Sequence, residues 1–255
     1  MLDLYRFSHL KKYPELLHAV TTKSSDFPYT FSLALHTGEE HEKIIANRKQ
    51  LSNLLHTGKT LHYIVANQTH SDHIKIIQKK ESKGWEGLKD AIEDCDALIT
   101  DVKDVVLSIL TADCVPVLLY DQKNKVVAAI HAGWKGTQKH IVAKTVQKMR
   151  EVFDTDPKDI LAGIAPSIGS CCYEVGEEVA AHFFDTPEAF TKQGEKYMLN
   201  LPYLNQKQLL DAGIEKENIE MSGVCTACDT ERFFSYRKES GCSGRFMSMI
   251  GLTSS

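Results

Sequence analysis

Three β-branched runs stand at the centre of the chain: Val105 to Leu110, Val115 to Tyr120 and Val126 to Ile130 are almost wholly apolar and separated by short polar breaks. Runs without alternation predict strands buried on both faces. Beyond them the period changes. Ile141, Val142, Thr145, Val146, Met149 and Phe153 follow helical spacing, which predicts a helix of about four turns with Thr137 as its N-cap. Helices are also predicted over Glu40 to Leu55, Glu174 to Phe184 and Pro202 to Ala212, the last closed by Gly213 just past its end. Leu61 to Ala66 reads as a strand, and His73 to Ile77 alternates well enough to be its partner, with Gln68 to Asp72 in a strand-end turn. Further strands are predicted at Ile160 to Ile164, Tyr197 to Leu201 and Arg245 to Leu252. Strands and helices interleave without a regular strand–helix–strand beat, so an α+β fold is expected rather than a doubly wound sheet. Lys79 to Asp90, charged and glycine-bearing, is the predicted soft segment. No internal repeat or Pro/Gly/Ser-rich joint divides the chain, so residues 1–255 are read as a single domain.

Composition narrows the class of function. The chain is 42% hydrophobic and 25% charged, which suits an ordinary globular protein. A net charge of -4 argues against a general nucleic-acid or anionic-membrane surface, because both require clustered excess cation. Small-molecule chemistry is what remains. The start, Met-Leu-Asp-Leu-Tyr-Arg-Phe, carries an acid and reaches Lys11 and Lys12 without an apolar core, unlike a signal peptide. No run of about 18 apolar residues occurs, so no spanning helix is expected and the location read is cytoplasmic. Seven cysteines, an odd count with one adjacent pair, look like reduced thiols rather than a disulfide framework.

Chemistry concentrates where the apolar runs meet. Asp121 to Lys125 offers a turn between two of them, and if Asp121 and Asn124 flank the reversal, Cys114 falls directly opposite His131. Two ligands of one metal can be presented that way, although Pro116 must then sit at a strand start or an edge. The same Cys114 also reads as a buried free thiol. His131 opens His-Ala-Gly-Trp-Lys-Gly-Thr, whose glycines allow close backbone approach. His70 and His73 lie on opposite faces if their segment is extended, so only one can join. His70 is preferred, at the strand end after Gln68 and beside Asp72 as an acceptor for its ring. Two histidines and one cysteine leave zinc an open fourth position, the pattern of a catalytic site. Cys225-Thr-Ala-Cys228 has no second CxxC, and the adjacent Cys171-Cys172 offers poor geometry for closing a tetrahedral site. Both pairs are therefore read as ordinary structural thiols. The aromatic stretch Arg232 to Arg237 is either a packed strand or a ribose, base or phosphate contact, and Arg48 is a lone cation on a helix.

These segments together resemble the YfiH / YlmD family, related to a laccase-domain protein that acts on purine nucleosides. The resemblance spans nearly the whole chain. It rests on Asn47-Arg48, Gln68-Thr-His70, Asp96-Ala-Leu-Ile-Thr, Thr111-Ala-Asp-Cys114-Val-Pro, His131-Ala-Gly-Trp-Lys-Gly, Gly163-Ile-Ala-Pro-Ser-Ile-Gly-Ser-Cys-Cys-Tyr-Glu-Val, Cys225-Thr and Phe233-Phe-Ser-Tyr-Arg237. Ala165 departs from the proline more usual there, and Cys228 is not part of the family pattern. The resemblance implies a layered α/β/β/α sandwich with mixed sheets and a metal site of His70, Cys114 and His131. It further implies phosphorolysis of adenosine, inosine and S-methyl-5'-thioadenosine, with adenosine deamination as a second activity. The partners expected are purine nucleosides and phosphate, with no nucleic acid and no membrane, and the protein is read as a monomer or homodimer. Zn2+ is the metal expected, ahead of copper.

For that chemistry Cys114, His131 and Asp113 are the catalytic candidates, Asp113 as acid/base or as a partner behind the metal ligands. Arg48, Gln68, Ser235 and Arg237 are the substrate contacts, with Arg48 and Arg237 assigned to phosphate. The chain lacks the H-x-E with P-C-x-x-C signature of nucleobase deaminases, so deamination here needs another arrangement. Three rivals stand beside this reading. A copper polyphenol oxidase needs many imidazoles at close spacing, and no H-x-H occurs. A metal-independent hydrolase would use Cys114 as nucleophile and His131 as base. A zinc-stabilised binding module without activity is the third.

Overall fold

The computed structural model describes residues 2–55, 58–241 and 243–254. From the N-terminus, strands β1 (Leu4–Tyr5) and β2 (Leu16–Thr21) precede helix α1 (His41–Leu54) and strand β3 (His62–Val65). Strands β4 (Ile74–Ile76), β5 (Ala97–Thr100), β6 (Val105–Thr111), β7 (Val115–Asp121) and β8 (Val126–Ala132) follow. Then come helices α2 (Trp134–Gln138) and α3 (Ile141–Phe153), strands β9 (Ile160–Ile164) and β10 (Glu174–Val175), and helix α4 (Glu177–Ala180). Strands β11 (Phe190–Gln193) and β12 (Lys196–Leu199), helix α5 (Leu201–Asp211), and strands β13 (Ile219–Met221) and β14 (Phe246–Leu252) complete the chain.

Two mixed sheets carry the architecture. One has the order β1-β2-β14-β6-β3 and the other β13-β9-β7-β8-β5-β4. The strict two-residue period of a strand sorts the apolar runs into layers. Val105, Leu107 and Ile109 of β6 meet Leu118, Tyr120, Val127 and Ala129 of the other sheet in one cluster. The alternate residues, Val106 and Leu110, pack with Met247 and Met249 against Leu51 of α1. On the far side Val117, Leu119, Ala128 and Ile130 pack against Val142, Val146 and Met149 of α3 and Leu204 and Leu209 of α5. The layers are thus α/β/β/α, and the central runs lack polar alternation because both of their faces are covered.

Several expectations are corrected by this arrangement. The strand at Ile74–Ile76 does not pair with β3; it pairs in parallel with β5 in the opposite sheet, while β3 pairs in parallel with β6. The intervening segment 66–73 crosses between the sheets. The β7–β8 hairpin exists, but its register differs by two residues: Pro116 faces His131 and Asp121 faces Val126. The reason is the turn. Asp121 Oδ1 accepts from the amides of Lys123 and Asn124, both at 2.9 Å, and Lys125 takes a left-handed φ of 56°. Those bonds stabilise a four-residue loop. Thr137 is not an N-cap; it lies inside α2, and the residue before α3 is His140 at φ 60°. The helix expected over Glu174 to Phe184 is a short strand, α4 and a 3-10 turn, because Glu174 and Val175 are taken up as partners of β12. By contrast α5 ends as its sequence predicts, with Gly213 just past it at φ 97°, and at its start the Asn200 side chain accepts from the Tyr203 amide.

Candidate metal centre and its cavity

The crossing segment, the start of β7 and the end of β8 converge at one end of the sandwich. His70, Cys114 and His131 meet there with their ligand atoms all within 4.8 Å of one another. The corrected register explains how. Cys114 precedes β7 and stands opposite Gly133, so it is a diagonal rather than a direct neighbour of His131 on the same face. Gly133 leaves the space that the third ligand occupies: a Cβ there would lie 2.8 Å from His70 Cδ2 and 3.1 Å from Cys114 Sγ. His70 is brought in by a left-handed backbone at φ 60°, and its Nε2 lies 3.7 Å from Cys114 Sγ. Tetrahedral zinc with ordinary bond lengths sets an N···S edge of about 3.6 Å.

Asp96, fully buried just before β5, organises the cluster. Its carboxylate accepts from the amides of His70 at 3.1 Å, Ser71 at 2.7 Å and Thr69 at 3.2 Å, and from the Ser71 hydroxyl at 2.7 Å. Its Oδ1 also lies 2.6 Å from His131 Nδ1. Burial opposes its ionisation, yet these donors and the His131 ring hold its carboxyl well below the usual range. Nδ1 is thereby committed, and Nε2 of His131 is left for a metal. Burial pushes the Cys114 thiol up, but the adjacent His131 and His70 rings pull it down to about 6. Burial likewise disfavours a charged His131, and Cys114 and Asp96 outweigh it, raising the ring to about 9. The donor set of two imidazoles and an acidic thiol fits a borderline-soft divalent ion, with Asp96 behind it. Asp72, expected to serve behind His70, is instead paired with Lys144 at 2.5 Å and Lys139 at 3.6 Å. His73 pairs with Asp94 at 2.9 Å away from the cluster. The one local signal for Asp96 in the sequence is an acid placed against an apolar run.

A cavity of about 570 Å³ opens onto these ligands, and its walls include Trp134, Tyr173, Tyr236, Arg237 and Arg245. Arg237 donates to the Glu174 carbonyl at 2.6 Å and lies 5.3 Å over the Tyr173 ring. Arg245, which sequence reasoning passed over, lies 5.7 Å over the Tyr236 ring. Of the other predicted contacts, Gln68 and Arg48 line the walls. Gln68 brackets Leu110, donating to its carbonyl and accepting from its amide, both at 2.8 Å. Arg48 lines the cavity but is buried, giving Nε and Nη2 to Leu33 O and Nη1 to Gly84 O and Trp85 O at 2.6 to 2.9 Å. Four of its five donors are therefore spent on backbone carbonyls. Asp113, at φ 90°, accepts from the Thr226 hydroxyl at 2.7 Å and the Arg237 amide at 2.6 Å. Ser235 does not line the cavity; it is buried in a turn in which its hydroxyl accepts from the Lys238 amide at 3.1 Å.

The adjacent Cys171-Cys172 pair, expected to be poorly placed for closing a site with the CxxC, is not. Cys171, Cys172, Cys225 and Cys228 come together with all four Sγ atoms within 4.8 Å. The adjacent pair converges because Cys172 and Tyr173 both donate to Gly169 O at 3.0 Å, closing a tight turn. Among the described residues no helix is long and apolar enough to cross a membrane.

Comparison with known proteins places the same features in a wider set. Residues 18–253 match the family described as multi-copper polyphenol oxidoreductase laccase. The chain is 34% identical to the purine nucleoside phosphorylase YlmD of Bacillus subtilis, over 93% of this chain and 89% of that one. It is 36% identical to a purine nucleoside phosphorylase of Clostridium acetobutylicum over 98% and 97% of the two chains. The crystal structure of the Bacillus licheniformis hypothetical protein YfiH superposes with a TM-score of 0.90 at 34% identity, covering 95% of each chain. That of YlmD from Geobacillus stearothermophilus gives 0.89 at 30% identity, covering 95% and 93%.

Proposed function

Since the chain belongs to the YfiH / YlmD family, the multi-copper polyphenol oxidoreductase laccase group of proteins, we propose that it is a zinc-dependent purine nucleoside phosphorylase. One observation carries this reading: a His2Cys cluster faces a cavity that is also lined by three arginines and three aromatic rings, Trp134, Tyr173 and Tyr236. The substrates are adenosine and inosine, with S-methyl-5'-thioadenosine also accepted and adenosine deamination as a second activity. In phosphorolysis the bond from the ribose anomeric carbon to the purine nitrogen breaks. A phosphate oxygen bonds to that carbon, and the purine leaves with a proton.

His70, Cys114 and His131 would hold the metal, which when bound supplies Lewis-acid chemistry and activation of water at neutral pH. Arg237 and Arg245 bind phosphate, and Tyr173, Trp134 and Tyr236 take the base and sugar by stacking and apolar contact. Arg48 and Gln68 act as positioning residues for the wall. Asp113 fixes the Arg237 backbone and the sharp turn that presents Cys114. The metal cluster itself holds two histidines and a cysteine, a smaller imidazole set than multicopper oxidases use, which favours zinc.

A second reading rests on a different observation. Asp96, His131 and Cys114 form a relay of acceptor, ring and acidic thiol, which would also serve a metal-independent cysteine hydrolase. One assay separates the two. Zinc-loaded protein incubated with inosine and phosphate is expected to release hypoxanthine and ribose 1-phosphate in proportion to phosphate. Cys114→Ala should lower the rate by at least about a hundredfold. Chelation should abolish it and zinc restore it. No phosphate-dependent base release from the parent sinks the proposal, and activity that survives chelation but not thiol alkylation transfers it to the hydrolase.

A further inference from the structure

Cys171, Cys172, Cys225 and Cys228 occupy two loops with no covalent link between them. Residues 165–173 follow β9, and residues 222–229 follow β13. Cys228 Sγ lies 3.5 Å from Cys171 Sγ and 3.4 Å from Cys172 Sγ, so one sulfur faces two others at nearly equal range. All four atoms lie within 4.8 Å of one another. A disulfide joins thiols in pairs and gives no reason for four to converge. A tetrahedral ion does: zinc–sulfur bonds of about 2.3 Å set every S···S edge at about 3.8 Å.

A backbone donor faces one of the sulfurs. The Gly169 amide donates to Cys225 Sγ at 3.2 Å, an N–H···S contact that stabilises a charged sulfur. The Cys228 and Asp229 amides both donate to Cys225 O, at 3.1 and 3.0 Å, which folds the CxxC into a knuckle with both sulfurs on one side. Cys171 and Cys228 are exposed, so an ion can enter from solvent.

We propose that Cys171, Cys172, Cys225 and Cys228 form a second, structural zinc site, fully coordinated by sulfur and without an open position for substrate. It ties the two loops together. The Ile168 amide on one loop donates to Asp113 O at 2.9 Å, and the Thr226 hydroxyl on the other donates to Asp113 Oδ1 at 2.7 Å. Tyr173 and the Arg237 amide complete the same region. The ion holds Asp113, and through it the turn before Cys114, from both sides. This assignment does not depend on the nucleoside reading.

The test reads metal, not turnover. Protein purified under reducing conditions, stripped with chelator and reloaded with zinc alone, is analysed for zinc content and by zinc-edge X-ray absorption. Cys114→Ala, which lacks the catalytic thiol, is expected to retain about one zinc per chain with four sulfurs at about 2.3 Å. Cys228→Ser in the otherwise unchanged chain should lose about one zinc relative to the parent, and its thermal midpoint should fall towards that of the stripped protein. A Cys114→Ala protein that holds no zinc overturns the proposal, and so does a zinc shell without four sulfurs. If Cys114→Ala fails to fold, the parent's sulfur count decides: four-sulfur zinc must contribute to its spectrum. Recovery of these cysteines as disulfides after denaturation and alkylation likewise overturns it.

Discussion

Arg48 and Asp96 show how a single charged residue can serve a site without touching substrate. Arg48 is buried among apolar residues and spends its guanidinium on the carbonyls of Leu33, Gly84 and Trp85. Replacing it by methionine leaves three acceptors unpaired, so Arg48→Met should destabilise the fold by at least about 3 kcal/mol, a drop of roughly 6–12 °C in thermal midpoint. Were its role only to hold phosphate, the variant would melt with the parent while KM for phosphate rose. Asp96 orders three successive amides and the His131 ring. Asp96→Asn keeps the shape but weakens the hold on His131 Nδ1, and zinc affinity should fall about 10- to 100-fold in a competition titration. Unchanged affinity would mean that the ring is oriented without the carboxylate. Neither role was visible in the sequence, where both residues stand among ordinary charged neighbours.

At the scale of elements, the β7–β8 hairpin and the segment that crosses between the sheets decide the site. The hairpin was readable because two apolar runs flank a turn rich in Asp and Asn. Its register was not, since the loop length depends on which amides the Asp121 carboxylate accepts. The shift of two residues preserves the face of every side chain, which is why Cys114 and His131 still meet. It also puts Gly133 opposite Cys114, and that opening admits His70. Gly133→Ala is therefore expected to weaken zinc binding at least tenfold. Its thermal midpoint should stay within a few degrees of the parent, because φ at this position is -72°, open to any residue. A variant that binds zinc as tightly as the parent would show that the ligands do not need this gap. The long-range pairings were hidden for a related reason. Whether Ile74–Ile76 joins β3 or β5 is settled by what the opposing sheet offers, not by the segment's own alternation.

For the whole molecule, the layered sandwich makes acid stability depend on a histidine far from the site. His18 on β2 is buried, and its Nε2 accepts from the Phe7 amide at 3.1 Å, which requires the neutral ring. Burial, reinforced by the nearby cation Arg6, lowers it from 6.5 to about 4. The unfolded chain takes up a proton near the ordinary value while the native state refuses it, so stability is full above pH 6.5 and falls as the pH drops towards 4. The loss amounts to about 3 kcal/mol. Thermal melts across that window should show it, and His18→Gln, which keeps an acceptor without a titrating ring, should flatten the slope. An equal slope in the variant would assign the acid sensitivity elsewhere.

The chain's own pattern determined the buried central strands, the positions of α1, α3 and α5, and the residues able to bind metal, because periodicity and donor chemistry are local properties. Only the tertiary structure decided which strands share a sheet, that Asp96 stands behind His131, that Arg48 is spent on backbone carbonyls, and that two cysteine pairs meet at one point. Each of these depends on segments distant in sequence. The tetracysteine cluster is the plainest case: residues 171–172 and 225–228 are brought together by the Ser167–Cys225 bridge and the strands that carry their loops. Spacing along the chain carries no record of a distance closed by packing.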